Sequence, residues 1–163
     1  AAQGRYQLVG TSVFWTSRAL LALLFVQLFA GGLVAGLDAG LTYNTWPLMD
    51  GGLVPSGYFA QNPAWRNIFE NVASLQFNHR MLGYLVLIAV IWAWVSAVRL
   101  KEVPIRRIAG LLMMAVFAQI TLGIATLLYV VPLKLAIAHQ GGAIIVFMIA
   151  IWLMRTAKIR LHH

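Results

Sequence analysis

Four runs of mostly apolar residues, each free of Asp and Glu, divide the chain at 18–37, 81–98, 108–131 and 135–154. About 20 such residues in a helix cross a hydrocarbon core about 30 Å thick. The pattern therefore predicts an all-α, polytopic membrane protein, a four-transmembrane-helix bundle at 18–154 between an N-terminal segment, 1–17, and a tail, 155–163. Every run is too long for the core of a signal peptide, so none reads as a cleaved leader.

The polar connections differ in kind. Residues 131–134 make a tight helical hairpin, whereas 38–80 is too long to be a mere connector and carries Trp46, Pro47, Pro55, Pro63 and Trp65. Within it, 63–72 predicts an amphipathic helix at the membrane interface, with Asn62 as cap, Pro63 at the first position and Trp65, Ile68, Phe69 and Val72 on one face. An interfacial anchor and a lid over something bound in the bundle are both open.

A weak repeat runs through the spans. Gln27 to Gly31 resembles Gln119 to Gly123, and His79-Arg80 resembles His139-Gln140. Spans with matching residues run in the same direction, which predicts a pseudo-two-fold axis along the membrane normal with the second and fourth spans facing each other across it.

Composition narrows the chemistry. Hydrophobic residues make up 61% of the 163 and charged ones 10%, and there is no Cys, which excludes a disulfide scaffold, a thiolate metal site and a cysteine nucleophile. The formal charge of +8 is unevenly placed. Arg5, Arg18, Arg99, Lys101, Arg106, Arg107, Arg155, Lys158 and Arg160 flank one side of the predicted bundle, against only Arg66, Arg80 and Lys134 on the other. By the positive-inside rule both termini face the cytoplasm or matrix, and the excess reads as a topology signal with some pull on anionic headgroups of the lipid bilayer, with no nucleic acid as partner.

Inside the predicted spans two ionisable residues remain as functional candidates, His79 and His139. His79 lies about 30 Å of helix from Arg99 and His139 about 24 Å from Arg155, so their depths agree to about one turn. Gly83 follows His79 by one turn, Gly142 and Ala143 follow His139, and the first span adds Gly31, Gly32, Ala35 and Gly36. Such small residues suit either close helix packing or a flat ligand beside each imidazole. Two histidines are too few for a zinc site, and the spans lack the acids of a proton relay. A heme needs two axial nitrogens, an apolar slot and polar groups for its propionates. Arg80, Arg66 and Lys134 could meet propionates pointing outward, and Gln140 occupies after His139 the place that Arg80 holds after His79. These residues alone leave heme binding, transport and packing as open readings.

Three stretches carry a resemblance: Gly31 to Asp50 with its Ala35-Gly-Leu-Asp-Ala-Gly40; Trp65 to Asn71 with Gln76-Phe-Asn-His-Arg80; and Gln119 to Pro132 with His139-Gln140. Together they closely resemble the carboxyl-terminal half of heme A synthases of the mitochondrial and alphaproteobacterial type. That resemblance implies an oxidoreductase of eight spans in two similar halves, which oxidises a methyl group of heme O to the formyl group of heme A for cytochrome oxidase. It implies heme b in this half, with His79 and His139 as its axial metal ligands and Arg80, Arg66, Gln140, Gly83 and Gly142 around it. The amino-terminal half, in the same or a separate chain, is the implied partner and receives heme O. Heme O synthase, cytochrome oxidase assembly factors and a second copy of the chain complete the implied partners, in the bacterial cytoplasmic membrane or the mitochondrial inner membrane.

Gln76 fits a half that the resemblance gives a cofactor and not chemistry, whereas Ala138 departs from the family pattern. Gln76 stands where the substrate half has a Glu, and a neutral amide is no acid or base at neutral pH. Ala138 precedes His139 where many relatives have Thr, which removes a hydroxyl from the surroundings of the histidine. The chain matches one half only, which favours a piece of a longer protein over a compact enzyme. A stand-alone b-type cytochrome that transfers electrons in the membrane is the alternative of a different class.

Overall fold

A computed structural model describes residues 6–8 and 10–160. Arg5 and the last residues of the tail lie outside them. Four helices are long and apolar enough to cross a membrane: α1 (Thr11–Gly36), α3 (Val72–Arg99), α4 (Val103–Leu128) and α5 (Leu133–Thr156). A single-turn helix, α2 (Arg66–Phe69), precedes α3. Strands β1 (Tyr6–Leu8) and β2 (Lys158–Arg160) pair antiparallel, bringing the two ends of the described chain together. The side of the bundle that carries this ribbon is the ribbon end, and the opposite side, with segment 37–71 and the 129–132 hairpin, is the loop end.

All four long helices begin before the apolar runs that announced them. The α3 helix starts nine residues ahead of 81, because Asn71 caps it by accepting from the Ser74 backbone N–H at 3.1 Å, and its first turns are polar. The long outer connection therefore ends at Asn71, and His79 and Arg80 belong to the helix. At the other hairpin α4 stops at Leu128, and Val130 and Val131 take left-handed backbone with φ of 60° and 54°, a conformation that β-branched residues seldom adopt. The Val131 N–H donates to the Thr126 carbonyl at 2.8 Å and closes the turn.

Around the bundle the helices are ordered α1, α3, α4, α5 and back to α1, so α3 and α5 are diagonal neighbours. One spacing, four then three then four, sets the buried seam on every helix: Val13, Ser17, Leu20 and Leu24; Val86, Val90, Ala93 and Ala97; Ile105, Ala109, Leu112 and Val116; Val146, Ala150, Leu153 and Ala157. All of these lie in the ribbon half. Lipid gives helices no hydrophobic reason to associate, so this half is held by close van der Waals fit, helped by the small Ser17, Ala93, Ala97, Ala109 and Ala150. Large apolar side chains such as Phe25, Ile88, Trp92, Met114 and Trp152 face outward, as a lipid-exposed surface requires.

Segment 37–71 is ordered by side-chain hydrogen bonds. Asn67, fully buried, donates to the carbonyls of Gln61 (2.7 Å) and Ala64 (3.0 Å) and accepts from the Gln61 N–H and from Asn71 Nδ2, both at 2.9 Å. Asn71 Nδ2 also reaches the Gly57 carbonyl, and Ser74 Oγ accepts from the Phe59 N–H. These bonds shorten the helix expected over 63–72 to the one turn of α2. Trp65, Ile68 and Phe69 nevertheless share an exposed face, about half accessible, suited to an interface.

Candidate functional site

Continuing the seam toward the loop end changes its chemistry without changing its spacing. On α1 the next positions are Gln27 and Gly31; on α3, counting back from Val86, they are Gly83, His79 and Gln76. On α4 they are Gln119, Gly123 and Thr126, and on α5 Gly142 and His139. The axis-facing positions that hold Leu, Val and Ala in one half hold Gln, Gly and His in the other. Buried polar groups in a membrane cost free energy unless partnered, which marks this half as the candidate site.

Two equivalent clusters form there. Gln119 Nε2 donates to the His139 carbonyl at 2.6 Å and stands 3.1 Å from Nδ1 of the same imidazole. Gln27 Nε2 donates to the His79 carbonyl at 3.2 Å and stands 3.4 Å from its Nε2. Each imidazole leans on a glycine of the helix that supplies its glutamine. A Cβ on Gly31 would lie 3.1 Å from His79 Cε1, and one on Gly123 2.6 Å from His139 Cε1. Each glutamine in turn lies against the glycine that follows the histidine: a Cβ on Gly83 would meet the Gln27 amide at 3.7 Å, and one on Gly142 would overlap the Gln119 amide. Gly83 and Gly142, expected to leave a bare wall for a flat ligand, thus make room for the two glutamines. The imidazoles stand on the diagonal helices α3 and α5, each seven residues before the seam position Val86 or Val146.

Such a pair suits an axial metal ligand set better than a closed ion cage. His79 Nδ1 is buried with no hydrogen-bond partner, and Gln119 engages only Nδ1 of His139, so each ring keeps a nitrogen for a ligand. Among the described residues no group of three or more His, Asp or Glu could hold a bare ion. The residues therefore fit a heme, whose iron brings four nitrogens of its own and asks two of the protein.

The other expected site residues are distributed unevenly. Arg80, on the turn after His79, donates through Nη2 to the Tyr43 carbonyl at 2.9 Å and through Nη1 to the Leu48 carbonyl at 3.4 Å, while its buried Nε has no partner. Gln76 Nε2 donates to the same Tyr43 carbonyl at 3.0 Å. Asn44 Nδ2 joins the Gly40 and Leu127 carbonyls at 2.7 and 3.0 Å, and Gly40 leaves space for Val131. Segment 40–48 is thus tied over the loop end of the bundle, above the histidines. Arg66 lies in α2, paired at 2.7 Å with Glu70, both largely exposed. Lys134 and Gln140 are exposed on α5. Gln27 and Gln119 were visible in the sequence as a repeat but not as site residues; carrying the four-three spacing past Leu24 and Val116 would have found them.

A family model described as cytochrome oxidase assembly protein matches residues 7–151, nearly the whole chain. The chain belongs to the cytochrome oxidase assembly protein family. Within its curated members it is similar to the heme A synthase of Parvibaculum lavamentivorans, 48% identical over 142 residues, which are 87% of this chain and 40% of that protein. The heme A synthase of a Chelativorans species is 50% identical over 134 residues, 82% of this chain and 36% of its own length. That of Azorhizobium caulinodans is 50% identical over 137 residues, 83% and 39%. The chain therefore spans well under half the length of these relatives. No solved structure matches it.

Proposed function

We propose that this chain is the heme b-binding, carboxyl-terminal half of a heme A synthase, with His79 and His139 as axial ligands of the iron. The observation that carries the reading is the matched pair of Gln–His–Gly clusters on diagonal helices at one depth, one imidazole nitrogen of each left without a partner. When bound, the heme would supply a one-electron carrier next to the half that oxidises the methyl group of heme O to a formyl group. Gln27 and Gln119 hold the imidazoles to their helices, and Gly31 and Gly123 set how far each ring stands from the neighbouring helix. Arg80 and Gln76 fasten segment 40–48 over the loop end, and Arg80, next to His79 in the chain with its Nε unpartnered, is a cation that could meet a propionate. Gln76, a neutral amide spent on a backbone carbonyl, has no proton to offer, which agrees with catalysis in the other half. The basic residues of the ribbon end support an orientation with that end toward the cytoplasm or matrix.

Absorption spectra of the full-length protein test the reading. His79→Ala and His139→Ala should each remove the sharp reduced bands of a six-coordinate b-type heme, whereas Lys134→Ala should leave them. A colourless wild-type protein, or bands indifferent to both substitutions, refutes it. Deleting the gene and extracting the hemes separates the alternative, because loss of a stand-alone b-type cytochrome would leave heme A content unchanged.

A further inference from the structure

At the ribbon end, α1 and α5 enclose a cleft of about 480 Å³ lined by Phe14, Arg18, Leu21, Met154, Arg155 and Lys158. Arg18 and Arg155 line it with Lys158, and among the described residues that line it there is no carboxylate. The Arg18 guanidinium is held over the rings of Phe14 and Trp15, 5.7 and 5.0 Å from their centroids, so its charge is fixed in place rather than swept through solvent. Arg18 and Arg155 are exposed, at the ends of the apolar runs 18–37 and 135–154, where the headgroups of a surrounding bilayer would lie. On the bundle side of them Leu21 and Met154 add an apolar wall, and Phe14 lines the cleft one turn nearer the ribbon. A ligand that matches this arrangement carries a negative charge at one end and hydrocarbon at the other. Basic pockets between transmembrane helices are known to take lipid headgroups of this kind.

We propose that this cleft is a binding site for the phosphate of an anionic phospholipid, held by Arg18 and Arg155, with the start of its acyl chains against Leu21 and Met154. Like charges brought to one cleft repel, and an anion between them turns that cost into attraction. Free phosphate satisfies the charges but leaves the apolar wall unused, so the lipid is the occupant. The proposal is independent of heme, since the site lies at the opposite end of the bundle from His79 and His139.

Native mass spectrometry of the full-length protein, equilibrated in mild detergent with equal amounts of phosphatidylglycerol and phosphatidylcholine, provides the test. The wild type should retain phosphatidylglycerol selectively. Each lost base near a membrane surface should weaken this about fivefold, so Arg18→Gln with Arg155→Gln should lower the affinity about 25-fold. Arg18→Lys with Arg155→Lys should keep the selectivity, and so should Arg99→Gln with Lys101→Gln, which removes two exposed charges of the same end outside the cleft. Equal retention of the two lipids by the wild type overturns the proposal, as does a loss in the Lys pair or in the Arg99 and Lys101 pair as large as in the Gln pair. Displacement of the lipid by excess inorganic phosphate would make the site one for free anions and also overturn it.

Discussion

Gln119 grips His139 at two points, the backbone carbonyl at 2.6 Å and Nδ1 of the ring at 3.1 Å, and so joins α4 to α5 through one amide. A side chain bonded to both the backbone and the ring of a histidine fixes where the ring points. Groups placed this way around metal ligands typically carry 10–100-fold in affinity. Gln119→Leu should therefore weaken heme binding by about that factor, and Gln27→Leu, with its longer contacts, by less. Heme titration into apoprotein measures both, and affinities equal to wild type would remove the glutamines from the site.

The glycines rank themselves by the space around them. Gly123→Ala forces a methyl to 2.6 Å from His139 Cε1, Gly31→Ala to 3.1 Å from His79 Cε1, and Gly32→Ala into open space. Heme content per protein should fall most in the first, partly in the second and not at all in the third. Any other order contradicts the arrangement of the rings described above.

Asn67→Ala leaves two carbonyls, one N–H and the Asn71 amide short of a partner in a fully buried place. At about 0.5–1.5 kcal/mol for each of these bonds the segment loses about 2–6 kcal/mol, enough to loosen it without unfolding the four long helices. Limited proteolysis should then cut between 57 and 71 while the helical circular dichroism stays unchanged. Resistance equal to wild type would show that the asparagine network does not hold the segment.

Arg80→Met removes the guanidinium from the Tyr43 and Leu48 carbonyls. Bonds to charged donors contribute about 1.5–3 kcal/mol when buried and less at a half-exposed position such as this. Amide exchange in 43–50 should quicken several-fold, with exchange in 86–97 unaffected. Unchanged exchange in 43–50 would leave Gln76 and Asn44 as sufficient ties for the segment.

Apolar runs without acids located the four long helices because hydrocarbon excludes charge, and for the same reason they missed the helix ends. Val72 to Arg80 and Thr11 to Ser17 mix apolar with polar residues and so break the run, yet the helices continue through them, α3 as far as its Asn71 cap. Depth along a helix is arithmetic and set the two histidines at one level, and the repeat set their helices opposite each other; the fold has α3 and α5 on a diagonal. What surrounds each ring was harder to read, because Gly83 and Gly142 look alike whether they admit a flat ligand or a glutamine from the next helix. The expected helix at 63–72 failed for a chemical reason: Asn67 and Asn71 bond to backbone carbonyls, a competition that periodicity does not register.

The dense seam of the ribbon half has an electrical consequence. From Gly83 to Ala97 the axis side of α3 runs about 20 Å through a closely packed, largely aliphatic seam of Val86, Val90, Ala93 and Ala97, a long distance for an electron and a poor path for a proton. A redox group between His79 and His139 would be wired to the loop side of the membrane and insulated from the ribbon side. Its electrons would have to enter and leave at the same face.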